Sequence, residues 1–386
     1  MNTPVVPAER RTVYLDYNAT TPVLPEVVDA MLPYLREHFG NPSSGHPFGR
    51  RAREAVESAR ADVAALLECD AGEIVFTSGG TEANNLAIRG VAEARPDRRH
   101  VVTSVIEHPA TEGACAWLQE HGWSVTRVGV DAGGCLSMSE LHAAVGDETA
   151  LTTIMHANNE TGVVQPIAAI AQAAHAVGSL VHCDAAQSAG KIAVRVAELG
   201  IDLLSLAGHK LYAPKGVGAL FVRRGTPLSP FTRGAGHEGG LRPGTENVAG
   251  IVGLGVACRL ASRDLVAEAS RVEQLRDGLW EKLRAAVAGI QLNGQLAPRL
   301  PNTLNVRFPN ATGAAILAAA SDVAASTGAA CHDGQQRASA VVLAMGVPFA
   351  EALGSVRLTL GRHTTREDVD RAAESLTRAW QASKGR

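Results

Sequence analysis

From about residue 70 to residue 222, short apolar runs alternate with segments whose apolar positions recur at helical spacing. Glu73 to Phe76 reads as a strand and Thr81 opens a helix; Val101 to Val105 reads as a second strand, with a helix from about Ala110. Runs at Ser124 to Val128, Leu151 to Met155, Leu180 to Cys183, Leu203 to Ala207 and Ala219 to Val222 extend the series. Within it, Ile167, Ile170, Ala174 and Val177 share one helical face. Alternation of this kind predicts an α/β fold, a mostly parallel sheet covered by helices with ligands at the strand carboxyl ends.

The pattern then changes. Leu265, Val272, Leu275, Leu279 and Leu283 form the apolar face of a long helix, too short and irregular for a coiled coil. Pro298 to Pro301 marks a boundary. Beyond it, Thr303 to Phe308 and Ser355 to Leu360 read as strands, and Ala338 to Met345 and Arg366 to Ala379 as helices. The alanine-rich stretch Ala311 to Ala325 is ordinary helix and core. The expected division is a large domain over residues 17–262, and a smaller α/β domain built from residues 1–16 and 263–386.

Composition narrows the function classes. With 386 residues the chain is too long for one small core, and 36 basic against 39 acidic residues give a net charge of −3. No basic stripe points to nucleic acid. Met1 to Arg11 contains Glu9 and has no apolar core, so neither a signal peptide nor an anchor is expected. No apolar run approaches the ~18 residues of a membrane helix. The expectation is a cytoplasmic protein without a membrane partner. The six cysteines (Cys69, Cys115, Cys135, Cys183, Cys258 and Cys331) show no C-x-x-C pair and no zinc-like spacing, which predicts free thiols and no metal.

Two residues carry the candidate chemistry. Asp184 follows the run Leu180 to Cys183, and Lys210 follows Leu203 to Ala207, so an acid and an amine are expected at the ends of neighbouring strands. That is what pyridoxal 5'-phosphate requires: an amine to condense with its aldehyde, and a carboxylate to keep its pyridine nitrogen protonated. Ser78-Gly79-Gly80-Thr81-Glu82 lies between a strand and a helix, where glycines and unpaired helix N–H groups suit a phosphate. No Lys-Ser/Thr follows, so it is not a Walker A loop. His108 can lie over a pyridine ring and move protons, or can simply start a helix. Asn158 can meet the ring oxygen, although Asn-rich turns are also simply turns. Gln187, three residues after Asp184, can reach the same oxygen. Cys331 sits in a small-residue loop, Ser326 to Gly334, of the kind that can expose a nucleophilic thiolate. Arg357 interrupts an apolar strand and needs a carboxylate partner, internal or from a substrate.

Together these pieces resemble the cysteine desulfurase family, class V of the fold-type I pyridoxal phosphate enzymes, nearly end to end. The likeness rests on Tyr14 to Pro22 (YLDYNATTP), Gly40-Asn41-Pro42-Ser43-Ser44, Phe76 to Glu82, Gly208-His209-Lys210 and Arg242-Pro243-Gly244-Thr245. The Gly328-Ala329-Ala330-Cys331-His332 form, with Arg242 to Asn247, is similar to the selenocysteine lyase branch.

The resemblance implies a homodimer that converts L-cysteine (or L-selenocysteine) to L-alanine, and a sulfur-acceptor protein of unknown identity. By the same likeness Lys210 binds the cofactor covalently, His108 is the ring-stacking acid/base, Asp184 pairs with the pyridinium, and Asn158 and Gln187 meet the ring oxygen. Gly80, Thr81 and His209 hold the phosphate, with Thr245 from the partner subunit. Arg357 binds the substrate carboxylate and Cys331 takes the sulfur as a persulfide. Three departures stand out. Ala207 occupies a position where many desulfurases have a serine, and Gly239 one where arginine is common. The sequence also ends at Arg386 without the tail some relatives use to dock a scaffold protein. A catalytically silent sulfur-transfer partner subunit is the rival from another class, and intact Lys210, Asp184 and Cys331 weigh against it.

Overall fold

The computed structural model describes residues 12–295, 297–328 and 337–383. The chain opens with β1 (Val13–Tyr14) and two helices, α1 (Pro25–Arg36) and α2 (Pro47–Leu67). Each helix begins at a proline, whose fixed φ suits a first turn where the N–H has no partner anyway. His46 Nδ1 caps α2 by accepting from Gly49 N at 3.3 Å. Val56, Ala59, Val63 and Leu67 line the buried face of α2. Arginines and alanines dilute that stripe, and the strand–helix alternation becomes legible only after it.

The alternating region folds as β2 (Ile74–Thr77), α3 (Gly80–Ala94), β3 (His100–Ser104), α4 (Pro109–Glu120), β4 (Ser124–Val128), α5 (Met138–Ala144), β5 (Thr149–Met155), α6 (Ile167–Ala176), β6 (Leu180–Asp184), α7 (Val196–Leu199), β7 (Leu203–Ala207) and β8 (Gly218–Val222). The sheet has seven strands in the order β2-β8-β7-β6-β5-β3-β4. Only β8 runs against its neighbours; β7, β6, β5, β3 and β4 pair in parallel. Parallel strands deliver their carboxyl ends to one edge, so the loops after β5, β6 and β7 meet there. The register places Asp184 opposite Met155 on one side and Ser205 on the other.

Helix α8 (Val248–Ala286) is longer than its apolar stripe predicted. Its first part, with Ile251, Leu254, Ala257, Cys258 and Ala261 buried, is apolar nearly all round and shows no single-face period. Asn247 Oδ1 caps it by accepting from Gly250 N at 3.1 Å. Beyond it come β9 (Gln291–Leu292), β10 (Thr303–Arg307), α9 (Gly313–Ala319), β11 (Val323–Ala324), α10 (Ala340–Ala344), α11 (Phe349–Ala352), β12 (Ser355–Thr359) and α12 (Arg366–Ser383). A three-stranded sheet, β12-β10-β9, is antiparallel, while β1 pairs with β11 in parallel.

Of the four apolar clusters among the described residues, the two largest divide the chain. One surrounds the large sheet and takes in Phe76, Ile154, Cys183, Phe221 and the first half of α8. The other gathers Val13, Leu15, Phe308, Val356 and Trp380 with Val272, Leu279 and Leu283 of the second half. Thus α8 serves both cores. The N-terminal segment belongs with the smaller sheet, where Asp16 bridges to Thr359. Among the described residues, no helix is long and apolar enough to cross a membrane.

Candidate active site

At the carboxyl edge of the large sheet lies a cavity of about 320 Å³, lined by Lys210, Asp184, His108, Gln187, His209 and the first residues of α3. Lys210 arrives on a 3₁₀ turn, Gly208–Lys210, directly after β7. Its Nζ donates to the main-chain oxygens of Asn18 and Ala19, the latter at 2.7 Å. Burial pushes the amine down to about 8; the Arg357 charge adds to this, while Asp16 and Asp184 oppose it. Such an amine is partly neutral near physiological pH, as condensation with an aldehyde requires.

Asp184 ends β6 and is buried. Its Oδ2 accepts from Asn84 Nδ2 at 2.7 Å and its Oδ1 from Ala186 N at 2.9 Å. Both bonds fix the orientation of the carboxyl group. Asn84 sits on the inner face of α3 beside Ala83, Leu86 and Ala87. A polar residue on an otherwise apolar helix face was its only sequence signal.

His108 starts a helix, one of the two readings its sequence position allowed. It caps α4, with Nδ1 accepting from Ala110 N at 3.1 Å, and it lines the cavity. With Nδ1 accepting, the neutral ring carries its proton on Nε2. Desolvation holds its pKa below the usual imidazole value, Asp184 opposing and Lys210 reinforcing. Beside it, burial raises Glu107 to about 8. Glu107 accepts from Ser104 Oγ at 2.6 Å and from Met155 N at 3.0 Å, tying the ends of β3 and β5 together beneath His108.

The mouth of α3 forms a cradle. Gly79 adopts φ +147°, a conformation open to glycine, and Gly80 lies so close to Ala207 that a Cβ there would sit 3.2 Å from the alanine Cβ. The first amides of a helix have no intrahelical partners, and Gly80 and Thr81 at the start of α3 line the cavity together with His209. Burial drives His209 down to about 4, and its Nδ1 lies 3.2 Å from Thr20 Oγ1. The methyl group of Ala207 offers no hydrogen bond, which leaves the cradle to main-chain N–H groups, Thr81 and His209.

Of the two residues expected at a ring oxygen, Gln187 lines the cavity. Asn158 is fully buried, and its amide is committed to its own surroundings: Nδ2 donates to Ile106 O at 3.1 Å, and Oδ1 accepts from Glu160 N at 2.9 Å and Thr161 N at 3.0 Å. Asn159, its neighbour, lines the cavity. Thr245 is exposed and does not line the cavity of its own chain. Gly239, where an arginine is common, has φ +65°, which suits glycine. The preceding Glu238 is held by Arg60 Nη2 and by Phe76 N, each at 2.7 Å.

Arg357 of β12 has an internal partner. Its Nη2 donates to Asp16 Oδ1 at 2.8 Å and its Nη1 to Asn159 O at 3.2 Å, so the guanidinium is held at the seam between the N-terminal segment and the loop after β5. Cys331 lies outside the described residues. Burial raises the other five thiols, Cys69 and Cys115 to about 12, and none of them lines the cavity.

An amine, a braced carboxylate, a histidine and an anion cradle around one cavity match the donor set of a phosphorylated pyridine aldehyde. Residues 13–372 match the aminotransferase class-V family. The chain belongs to this family. Similar class-V proteins include a cysteine desulfurase of Trichormus azollae, 46% identical over 94% of this chain and 92% of its own length. A cysteine desulfurase IscS of Anaeromyxobacter sp. (strain Fw109-5) is 48% identical over 93% of this chain and 90% of its own. Among solved structures, a NifS-like protein superposes with a TM-score of 0.88 at 36% identity, covering 95% of this chain and 98% of that one. The class-V chain thus has the fold-type I architecture that its motifs implied.

Proposed function

We propose that this class-V enzyme is a pyridoxal 5'-phosphate-dependent cysteine desulfurase that converts L-cysteine to L-alanine and retains the sulfur as a persulfide on Cys331. The observation that carries the reading is the single cavity shared by Lys210, Asp184, His108 and the mouth of α3. The desulfurase names of relatives at 46–48% identity support the substrate.

The residues present fit the cofactor. Gly80, Thr81 and His209 would hold its phosphate, Lys210 its aldehyde carbon, Asp184 its ring nitrogen and Gln187 its ring oxygen, while Asn158 would shape the turn after β5. When bound, pyridoxal phosphate supplies an electron sink for the charge left at Cα when a proton departs. Asp184, braced by Asn84, would keep a proton on the ring nitrogen. Lys210 Nζ can accept and return a proton at neutral pH. His108 can move one through Nε2. Arg357 would bind the substrate carboxylate, sharing its guanidinium with Asp16. Cys331 thiolate would take the substrate sulfur, so that the carbon skeleton leaves as alanine and the sulfur stays covalently held.

The same reading includes a homodimer in which Thr245 reaches the partner's phosphate site, and division into domains at 17–262 and 1–16 with 263–386. It also includes a sulfur-acceptor protein and a reducing cytoplasmic setting, which suits the five free cysteines.

The test is the absorbance of the purified protein before and after L-cysteine, with alanine and sulfide assayed. A yellow protein that forms alanine from L-cysteine supports the assignment. Turnover of L-selenocysteine alone would favour the lyase, and a protein that stays colourless after reconstitution would favour the silent subunit.

A further inference from the structure

A second lysine stands behind the first. Lys191 follows β6 by one short turn, and its Nζ donates to Gln187 Oε1 at 2.9 Å and to Asn18 Oδ1 at 3.0 Å. Gln187 Nε2 in turn donates to the main-chain oxygen of Asn18 at 3.0 Å, the same oxygen that accepts from Lys210. Asn18 is buried at the centre of this arrangement. Its Oδ1 also accepts from Asn302 Nδ2 at 3.0 Å, and its Nδ2 donates to Asn159 O at 3.2 Å and Thr303 Oγ1 at 2.9 Å. Two carboxamides and two lysines thus meet on one residue of the N-terminal segment.

The chemistry of these groups decides which way each amide points. An ammonium has three donors and no acceptor, and even a neutral amine has two N–H groups, one for each oxygen it touches here. With its NH₂ donating to the Asn18 main-chain oxygen, Gln187 turns Oε1 toward Lys191, which donates to it. Its NH₂ then faces the opposite way, one hydrogen going to Asn18 O and the other left for the cavity that Gln187 lines. With the amide reversed, Lys191 would meet an NH₂ and the cavity would meet a carbonyl oxygen. That oxygen would repel the electron-rich ring oxygen of a bound pyridoxal.

We infer that Lys191 is a positioning residue: it locks the Gln187 carboxamide with its N–H toward the cavity and holds Asn18 so that its main-chain oxygen receives Lys210. The inference rests on the cofactor reading above. Burial, then the charges of Lys210 and Arg357, lowers the Lys191 pKa well below the ordinary lysine value. Its bonds to two neutral oxygens account for its place without an acidic partner.

The readout is the pH midpoint of the visible absorbance of the lysine-linked cofactor in the resting holoenzyme. An N–H donated to the ring oxygen draws charge away from the neighbouring imine nitrogen and lowers that midpoint. The charged neighbours that also set it are Arg357, Asp16 and Asp184 around Lys210, with His108 and His209 beside it. Lys191→Met, which keeps length and removes the donors, should raise the midpoint by about one pH unit, the scale of one charge-assisted hydrogen bond. Gln187→Met should raise it by a similar amount, and the double variant by no more than either alone, because both remove one donor. Gln187→Glu keeps Lys191 but has no N–H to give, and should shift the midpoint at least as far. An unchanged midpoint in Lys191→Met, or additive shifts in the double variant, would overturn the inference. Should Lys191→Met not fold, Lys191→Leu takes its place: an unchanged midpoint overturns the inference, and a raised one that Gln187→Met does not add to sustains it. Borohydride trapping in the wild type separates the two levels: a tag on a lysine other than Lys210 removes the cofactor reading and this inference with it.

Discussion

Asn84 Nδ2 lies 2.7 Å from Asp184 Oδ2, a bond between the inner face of α3 and the end of β6. The same helix offers its N-terminus to the cavity, so one element sets both ends of the candidate site. Asn84 Oδ1 is buried without a partner, which leaves the bond to Asp184 as an anchor for that side chain alongside Thr111 Oγ1 at 3.2 Å.

Asn84→Ala should therefore leave Asp184 free to turn and weaken its hold on a ring proton. The expected loss is about 1–3 kcal/mol, read as a fall of roughly 5- to 150-fold in alanine formation and a faster loss of cofactor on dialysis. Normal turnover with normal cofactor retention would show that the Ala186 amide suffices.

Lys210 makes a prediction about pH. An amine attacks an aldehyde only when neutral, so the rate of cofactor attachment to the apoprotein should rise with pH through a midpoint near 8. Arg357 lowers that midpoint and Asp16 raises it. Arg357→Ala should then move it up and Asp16→Asn should move it down. Stopped-flow absorbance on the apoprotein reads both. Lys210→Ala should abolish attachment, and tagging of any other lysine after borohydride reduction would displace the assignment.

Arg357→Ala should raise the KM for L-cysteine by roughly 30-fold, the loss of a carboxylate contact worth about 2 kcal/mol, with the cofactor still bound through Lys210. Because Asp16 then loses its partner, a small drop in Tm is also expected. A variant that binds L-cysteine normally but unfolds early would make the Arg357–Asp16 pair structural only.

Cys331→Ser should lose nearly all activity on L-cysteine while retaining some on L-selenocysteine, since a selenol is the better leaving group. Alanine assays with both substrates, and mass spectrometry for a persulfide on the Cys331 peptide, test it. Full cysteine desulfuration by the variant would make Cys331 an ordinary loop cysteine.

Much of this site was legible along the chain because catalytic residues at a parallel sheet follow strands directly. Asp184 and Lys210 each end an apolar run, and Gly79-Gly80 separates a strand from a helix; periodicity locates such positions without any tertiary contact. Asn158 shows where that reasoning stops. Strand-end placement alone allows it to face the ligand, and only the turn geometry commits its Oδ1 to the amides of Glu160 and Thr161.

What the sequence by itself determined was the α/β alternation, the acid and amine at adjacent strand ends, and the family. Those depend on local period and on short motifs. The tertiary structure alone decided the partners. Asn84 braces Asp184, Asp16 occupies Arg357, and Lys191 and Lys210 converge on Asn18. Each of these contacts joins segments far apart in sequence, within the large domain, within the smaller one or between the two. Hydrogen bonds of that kind follow from where strands and helices finally pack, and they leave no periodic trace in the chain that forms them.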